Sequence, residues 1–175
     1  MDNLKINISN LKDGKHKFDF NVKAEELSID EVVIPSDIIV SAELYKTGNQ
    51  ISALVDLNGT FKLQCDRCLD DYDSGFNNRF EIIYKTDFKK DVKTVDDEPE
   101  DDIKFISQNT KFIDLKNDVR DYILLSIPMK KAPAEIDGNC SYCKKNTEEM
   151  LSIKSKEDVN PVWEKLLQTK TKQEN

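Results

Sequence analysis

The pattern that decides the fold is ISALVDLNGTFKLQC, residues 51–65, in which apolar and polar residues alternate on both sides of Asn58-Gly59. Alternation with a period of two is typical of strands that bury one face, and Asn-Gly favours a hairpin turn. A three-residue loop over residues 57–59 gathers the apolar residues on one face, whereas a two-residue turn mixes the faces. We therefore predict a hairpin whose apolar face holds Ile51, Ala53, Val55, Phe61, Leu63 and Cys65. A single strand that continues through Gly59 is the alternative.

Other short segments extend this predicted sheet. They are rich in Phe, Ile and Val and partly alternate, as half-buried strands do. The predicted strands are residues 15–22, 38–45, 76–84 and 103–106, with a turn at residues 69–75 (LDDYDSG). We expect a largely antiparallel sheet.

The remaining segments predict loops and helices. Residues 87–102 lose the alternation and include DDEPEDD, whose charges repel one another, so we predict an acidic loop there. Residues 115–127 have helical spacing, with Asp114 as a candidate N-cap and Pro128 as the stop. Asn160-Pro161 is a start signal for a short C-terminal helix.

The predicted fold class is α+β. Its main layer is an antiparallel sheet or a partly open β-barrel, with one covering helix and a C-terminal helical appendage. Residues 1–128 would form the mainly β part. Residues 129–175 would add a cysteine-containing loop and the short helix to the same domain.

The charge is distributed unevenly along the chain. The formal net charge is -8 and the sequence pI is about 4.8, so the whole protein is repelled by a phosphate backbone at long range. The acidity belongs to residues 1–128, which leaves room for a locally basic surface near the C-terminus. Candidate contact residues for RNA or a protein partner are Lys130, Lys131, Lys144 and Lys145, with Lys154 and Lys156 nearby. A solvated lysine-rich surface is the alternative.

The hydropathy pattern also indicates where in the cell the protein is expected. No stretch approaches the length of apolar sequence that a membrane-spanning helix needs, and residues 1–10 do not resemble a signal peptide. We expect a cytoplasmic protein without a membrane partner.

All four cysteines belong to C-x2-C pairs. Cys65 and Cys68 form the first pair, and Cys140 and Cys143 form the second. Two such turns supply the four soft ligands of a closed tetrahedral zinc site, and a site closed by four thiolates is structural. We predict one structural zinc ion that ties the sheet to the segment after the helix, with ordinary reduced cysteines as the alternative. Arg67, between the first two cysteines, would point outward to touch phosphate or would neutralise the negative zinc site.

Thiol redox chemistry is the alternative function for the first pair. A redox C-x2-C pair sits at the start of a helix whose amides stabilise the thiolate. The acidic segment LDDYDSG, residues 69–75, is a poor helix and would raise the thiol pKa. The sequence holds no dinucleotide-binding motif, P-loop or nucleophile elbow, and His16 has no identifiable catalytic partner and is expected to face solvent. We therefore predict a protein that is not an enzyme and has no small-molecule substrate.

The order of these features resembles the YceD family, the large ribosomal RNA subunit accumulation proteins. The resemblance rests on LNGTFKLQCDRCLDDYDSGF (residues 57–76), FIDLKNDVRDYILLSIPMK (112–130) and NPVWEKLLQTK (160–170). The residues that match the family signature are Cys65, Arg67, Cys68, Leu69, Asp114, Ile127, Pro128 and Met129. The resemblance implies a bacterial cytoplasmic factor in ribosome biogenesis that supports accumulation of large-subunit ribosomal RNA.

This resemblance also implies the kind of partner. We expect large-subunit ribosomal RNA or a basic large-subunit ribosomal protein, and an acidic chain favours the basic protein. The chain departs from the family at Val162, where many members have an arginine, and near Pro133, where many have further cysteines. A general zinc-stabilised interaction module, unrelated to ribosomes, is the remaining alternative.

Overall fold

The computed structural model describes residues 4–87 and 103–151 of the 175-residue chain. The chain divides into two compact units, Met1–Ala132 and Pro133–Asn175. The predicted acidic loop falls almost wholly on residues 88–102, and the predicted C-terminal helix falls beyond residue 151, so both lie outside the described residues. Within them, no helix is long and apolar enough to cross a membrane.

Strands dominate the described part of the chain. In chain order they are β1 Lys5–Asn7, β2 Gly14–Val22, β3 Ile38–Thr47, β4 Gln50–Gln64, β5 Asp71–Asp87, β6 Ile103–Ser107, β7 Phe112–Asp114, β8 Glu135–Ile136 and β9 Asn139–Cys140. The helices are α1 Lys116–Leu125, α2 Thr147–Leu151 and a short 3-10 helix, Ala24–Leu27. All four strands predicted outside the central pattern are therefore present.

The first unit is built on one five-stranded sheet in the order β2-β3-β4-β5-β6. The first three pairings are antiparallel, whereas β6 runs parallel to β5. The sheet is open, because β2 and β6 do not pair with each other in the described structure. The mainly antiparallel sheet is thus confirmed, with no closed barrel. A separate two-stranded ladder joins β1 to β7.

The hairpin predicted at Asn58-Gly59 is wrong. β4 runs without interruption from Gln50 to Gln64 and pairs along its whole length with β5, as the alternative of a continuous strand stated. The physical reason is packing. A Cβ on Gly59 would lie 2.5 Å from Cζ of Phe76, so the glycine makes room for an aromatic ring instead of a turn.

The predicted apolar face of β4 is confirmed. Residues with odd numbers point toward the core on both sides of the glycine, which keeps the period of two. The buried members are Ile51, Ala53, Val55, Leu57, Phe61, Leu63 and, directly after the strand, Cys65. The first cysteine therefore takes its position from the hydrophobic pattern of β4.

The turn predicted at residues 69–75 extends too far along the chain. β5 already begins at Asp71, and Gln64 of β4 pairs with Asp71. The connection between these two strands is therefore the short segment 65–70, which contains the first cysteine pair.

Helix α1 contacts β5. Its buried residues are Val119 and Ile123, and the ring of Tyr122 stacks on Phe80 with centroids 3.9 Å apart. The N-cap of the helix is Leu115 and not the predicted Asp114, although Oδ1 of Asp114 accepts the amide hydrogen of Lys116 at 2.9 Å. The helix is slightly shorter than the predicted 115–127 and ends ahead of Pro128.

The second unit contains the β8-β9 hairpin and α2 in its described part. Asp137 and Gly138, with φ of 50° and 74°, form the two-residue turn that joins the strands. The Thr147 hydroxyl donates to the Gly138 carbonyl at 2.9 Å and lies 2.7 Å from a carboxylate oxygen of Glu135. These bonds hold the hairpin against the start of α2.

Candidate metal centre

The first C-x2-C turn connects β4 to β5, and three backbone hydrogen bonds hold it in place. The Cys65 amide donates to the Asp70 carbonyl at 2.9 Å, and the Leu69 amide donates back to the Cys65 carbonyl at 2.9 Å. The Asp66 amide donates to the Lys131 carbonyl at 2.8 Å. The turn is thereby closed on itself and fixed to the segment that follows α1.

The second C-x2-C turn repeats this pattern. The Cys140 amide donates to the Lys145 carbonyl at 3.0 Å, and the Lys144 amide donates to the Cys140 carbonyl at 2.9 Å. The Ser141 amide donates to an upstream carbonyl, that of Ala134, at 3.0 Å. Two segments of different sequence, CDRCLD and CSYCKK, thus adopt the same hydrogen-bonded turn.

In each turn the residue after the second cysteine has a left-handed backbone. Leu69 has φ of 61° and Lys144 has φ of 62°, although neither is glycine. This conformation costs a residue with a side chain about 1–2 kcal/mol. Strain of this kind persists only where the surrounding structure requires it, and it is often found at ligand sites.

The sulfur environment of the first turn favours a thiolate. Burial raises the pKa of the Cys65 thiol, but hydrogen bonds from the amides of Cys68 and Arg67 and from both side chains lower it more, so the net pKa lies below its ordinary value. Cys65 and Cys140 are fully buried, whereas Cys68 and Cys143 are half-buried. The buried first cysteine of each pair is thus shielded from solvent oxidants.

The donor chemistry fits a zinc ion. All four cysteines are free thiols. The sulfur atoms of Cys65 and Cys68 lie within 4.8 Å of each other, and a tetrahedral site with Zn–S bonds of about 2.3 Å needs sulfur atoms about 3.8 Å apart. The first pair therefore needs only a small adjustment to bind. The second pair offers the same two soft donors at the same spacing.

Arg67 lies differently from its predicted outward position. The residue is half-buried, its Nε is buried, and its side chain hydrogen-bonds the Cys65 sulfur. Of the two roles considered for it, this placement favours neutralisation of thiolate charge over contact with phosphate.

The candidate lysines are spread along the surface. Lys130 is exposed, and the Lys131 amide donates to Oδ2 of Asp66 at 2.7 Å. In the second unit, Lys144 and Lys145 belong to the C-x2-C turn itself, and the Lys144 ammonium donates to the Ser141 carbonyl at 2.5 Å. The structure therefore brings Lys131 to the first thiol pair, and Lys144 and Lys145 to the second.

Sequence reasoning missed two features of the first turn. Asp66 makes reciprocal hydrogen bonds with Lys131, and no local signal connects residues so far apart in the chain. A carboxylate oxygen of Asp70 lies within 4.8 Å of the Cys68 sulfur, which adds a hard donor near the soft ones.

His16, predicted to face solvent, is half-buried, and its Nε2 donates to the Lys12 carbonyl at 2.8 Å.

The redox alternative lacks the helix that it needs. The segment after Cys68 leads into the strand β5, so no helical amides point at the Cys65 sulfur from a following helix. The amides that do stabilise it belong to the turn.

A family model supports the assignment that the sequence motifs suggest. The model for the large ribosomal RNA subunit accumulation protein YceD matches residues 54–170, which include both C-x2-C turns and α1. No curated protein and no solved structure gave a significant match. Because the matched region spans well over half of the 175 residues, the chain belongs to the YceD family.

Proposed function

We propose that this protein is a bacterial cytoplasmic factor in ribosome biogenesis. It supports accumulation of large-subunit ribosomal RNA by binding RNA, a ribosomal protein or both, and it does so without catalysis. The observation that carries the proposal is the family match over residues 54–170, since the family name connects it with large ribosomal RNA accumulation. YceD is not a family of known enzymes.

The proposed role of the cysteines is structural. Cys65, Cys68, Cys140 and Cys143 would bind one structural zinc ion. Support comes from the matching hydrogen bonds of the two turns and from the stabilised Cys65 thiolate. A site closed by four thiolates leaves no position for water, so the metal would contribute folding energy and no chemistry.

The proposed partner surface lies in the first unit. An open groove of about 430 Å³ is lined by Phe61, Ser74, Gly75, Phe76, Asn77, Asn78, Ser126 and Pro128. The residue after Pro128, Met129, is fully exposed, and Leu125, which precedes Ser126, is largely exposed. Exposed aliphatic side chains next to an aromatic groove are typical of protein–protein contacts.

The charges near this groove are mixed. Lys130 and Lys131 follow Met129, while Asp66, Asp71 and Asp73 belong to the neighbouring strand ends and turn. Phosphate recognition needs an excess of cations, which this region lacks. The mixture favours a protein segment with apolar anchors, and the lysines would serve as rim contacts.

Depletion tests the cellular role. If the protein supports large-subunit assembly, removing it should lower mature large-subunit particles and their RNA in a sucrose gradient, while small-subunit RNA changes less. Unchanged large-subunit particles after complete depletion would refute the proposal.

Co-purification at low and high salt tests the partner class. An RNA contact weakens steeply with salt, whereas a buried apolar contact does not. We expect a basic ribosomal protein to remain bound in high salt and Met129→Ser to reduce its recovery several-fold. Phe105→Ser on β6 is the matched control, because Phe105 is also a largely exposed hydrophobic residue of this unit. Equal loss in both variants, or retention of RNA alone, would contradict the proposed surface.

A further inference from the structure

Among the described residues, strand β2 lies at the edge of the sheet and pairs on one side only. β2 pairs with β3 in one uninterrupted register from Gly14↔Lys46 to Val22↔Ile38. No other strand in the described ranges pairs with β2. Nine residues without a bulge or proline present a regular row of backbone groups, which is a template for another strand.

The two faces of this strand differ. Lys15, Lys17, Asp19 and Asn21 lie on the exposed face of the sheet. His16, Phe18 and Phe20 lie on the core side but are only half-buried, because the sheet ends there. The edge therefore carries both charges and uncovered aromatic surface, and a strand added beside it would cover the latter.

We propose that β2 pairs with β2 of a second copy of this chain, antiparallel about a two-fold axis at Phe18. The resulting dimer has one continuous ten-stranded sheet. In this register Lys17 lies opposite Asp19 of the second copy, and Asp19 lies opposite its Lys17.

Charge complementarity selects this register. Lys17 and Asp19 already form an ion pair of 3.5 Å within one strand, and their side chains are 61% and 59% exposed. Pairing about Phe18 arranges the two lysines and two aspartates in a square with opposite charges along every side. A two-fold axis at Lys17 would place the two Lys17 side chains face to face. An axis at Asp19 would place two carboxylates together, and directly opposed like charges destabilise a ladder.

The core-side residues agree with the same register. Phe18 lies opposite Phe18 of the second copy, and Phe20 lies opposite its His16. Aromatic cross-strand pairs stabilise antiparallel ladders, and the pairing removes half-exposed rings from water. Many proteins place only lysines on an edge strand, so that two copies repel each other and do not pair. Here the aspartate beside the lysine makes the edge complementary to a second copy of itself.

Charge exchange provides a sharp test. Sedimentation velocity from about 1 µM to about 200 µM should show the wild-type chain reaching twice its 20.2 kDa mass. Lys17→Glu places a carboxylate opposite the Asp19 carboxylate of the second copy, and Asp19→Lys places an ammonium group opposite its Lys17. Each variant should therefore raise the Kd of the dimer about ten-fold or more. The double variant exchanges the two charges and should dimerise like the wild type. Lys116→Glu, which makes the same charge change on α1, is the control and should have no effect.

Mixing the two single variants adds an independent result. The carboxylate introduced at position 17 of one chain then faces the ammonium group introduced at position 19 of the other. The unchanged Asp19 of the first chain faces the unchanged Lys17 of the second, so a heterodimer should form from two weakly associating proteins. A wild-type chain that stays monomeric throughout the range would overturn the proposal. So would a dimer that is insensitive to both single variants.

Hydrogen exchange of the wild type needs no variant and therefore covers the case in which a charge reversal impairs folding. Amides of residues 14–22 that point away from β3 should exchange more slowly as the protein concentration rises. Exchange in this strand that is the same at all concentrations would exclude the interface.

Discussion

Replacing Gly59 with alanine would place a methyl group against the ring of Phe76. The new Cβ would lie 2.5 Å from Cζ and 2.7 Å from Cε1 of that ring. The ring cannot easily retreat, because it stacks on Phe61 with centroids 4.2 Å apart and the side chain is buried. Overpacking of this kind costs about 1–3 kcal/mol.

A smaller gain opposes this cost. Alanine in a strand interior is favoured over glycine by about 0.5–1 kcal/mol, which leaves a net destabilisation of at most about 2.5 kcal/mol and of about 1 kcal/mol at the middle of the two ranges. We therefore expect Gly59→Ala to lower Tm by roughly 2–5 °C in thermal unfolding followed by circular dichroism. Phe76 also lines the groove, so partner binding should weaken in the same variant.

Gly75→Ala is the matched control. Gly75 lies opposite Thr60 in the same strand pair, is exposed, and a Cβ there would meet only the Gly59 carbonyl oxygen at 4.0 Å. Its stability should be unchanged or slightly raised. If Gly59→Ala is as stable as the wild type, or if Gly75→Ala is equally damaging, the packing explanation for Gly59 is wrong. Replacing the ring with a smaller side chain in the double variant Gly59→Ala/Phe76→Leu should recover part of the lost stability.

Three further predictions concern the thiol turns and one buried phenol. Thiol titration should find all four cysteines unreactive in the zinc-loaded protein and about one zinc ion released per chain on chelation; two thiols that react at once with zinc still bound would instead favour the redox alternative. Leu69→Gly should raise stability by up to about 1 kcal/mol in urea unfolding, because glycine removes the left-handed strain, whereas Leu69→Ala keeps the Cβ and should give no such gain. Burial and the nearby Asp118 and Asp114 carboxylates raise the pKa of Tyr84, whose hydroxyl has no hydrogen-bond partner among the described residues. Because the unfolded state loses this proton first, the contribution of Tyr84 to stability is complete below the ordinary pKa of about 10 and falls as the pH rises above it; Tyr84→Phe should flatten that part of the pH profile, and an unchanged profile would contradict the shift.

The burial pattern of β4 could be predicted from the sequence, although its continuity through Gly59 could not. A three-residue loop at residues 57–59 and a continuous strand both place residues with odd numbers on the same face. The period of two therefore fixes which residues are buried without deciding between them. The deciding contact is the Phe76 ring over Gly59, which depends on the neighbouring strand.

The candidate site shows a similar division. The C-x2-C spacing predicted which cysteines act together as candidate metal ligands, because two thiols at that spacing can point to one place. Neither Cys68 nor Cys143 is followed by glycine, yet Leu69 and Lys144 adopt the left-handed backbone. The orientation of Arg67 could not be predicted, since it follows from how the folded turn packs.

The reciprocal hydrogen bonds between Asp66 and Lys131 have a thermodynamic consequence. They connect the backbone of the first thiol turn to the segment that displays Met129. If a ligand at either place changes the geometry of this connection, then metal affinity and partner affinity are coupled. Linkage is reciprocal. The factor by which bound zinc raises the affinity for the partner must therefore equal the factor by which the bound partner raises the affinity for zinc.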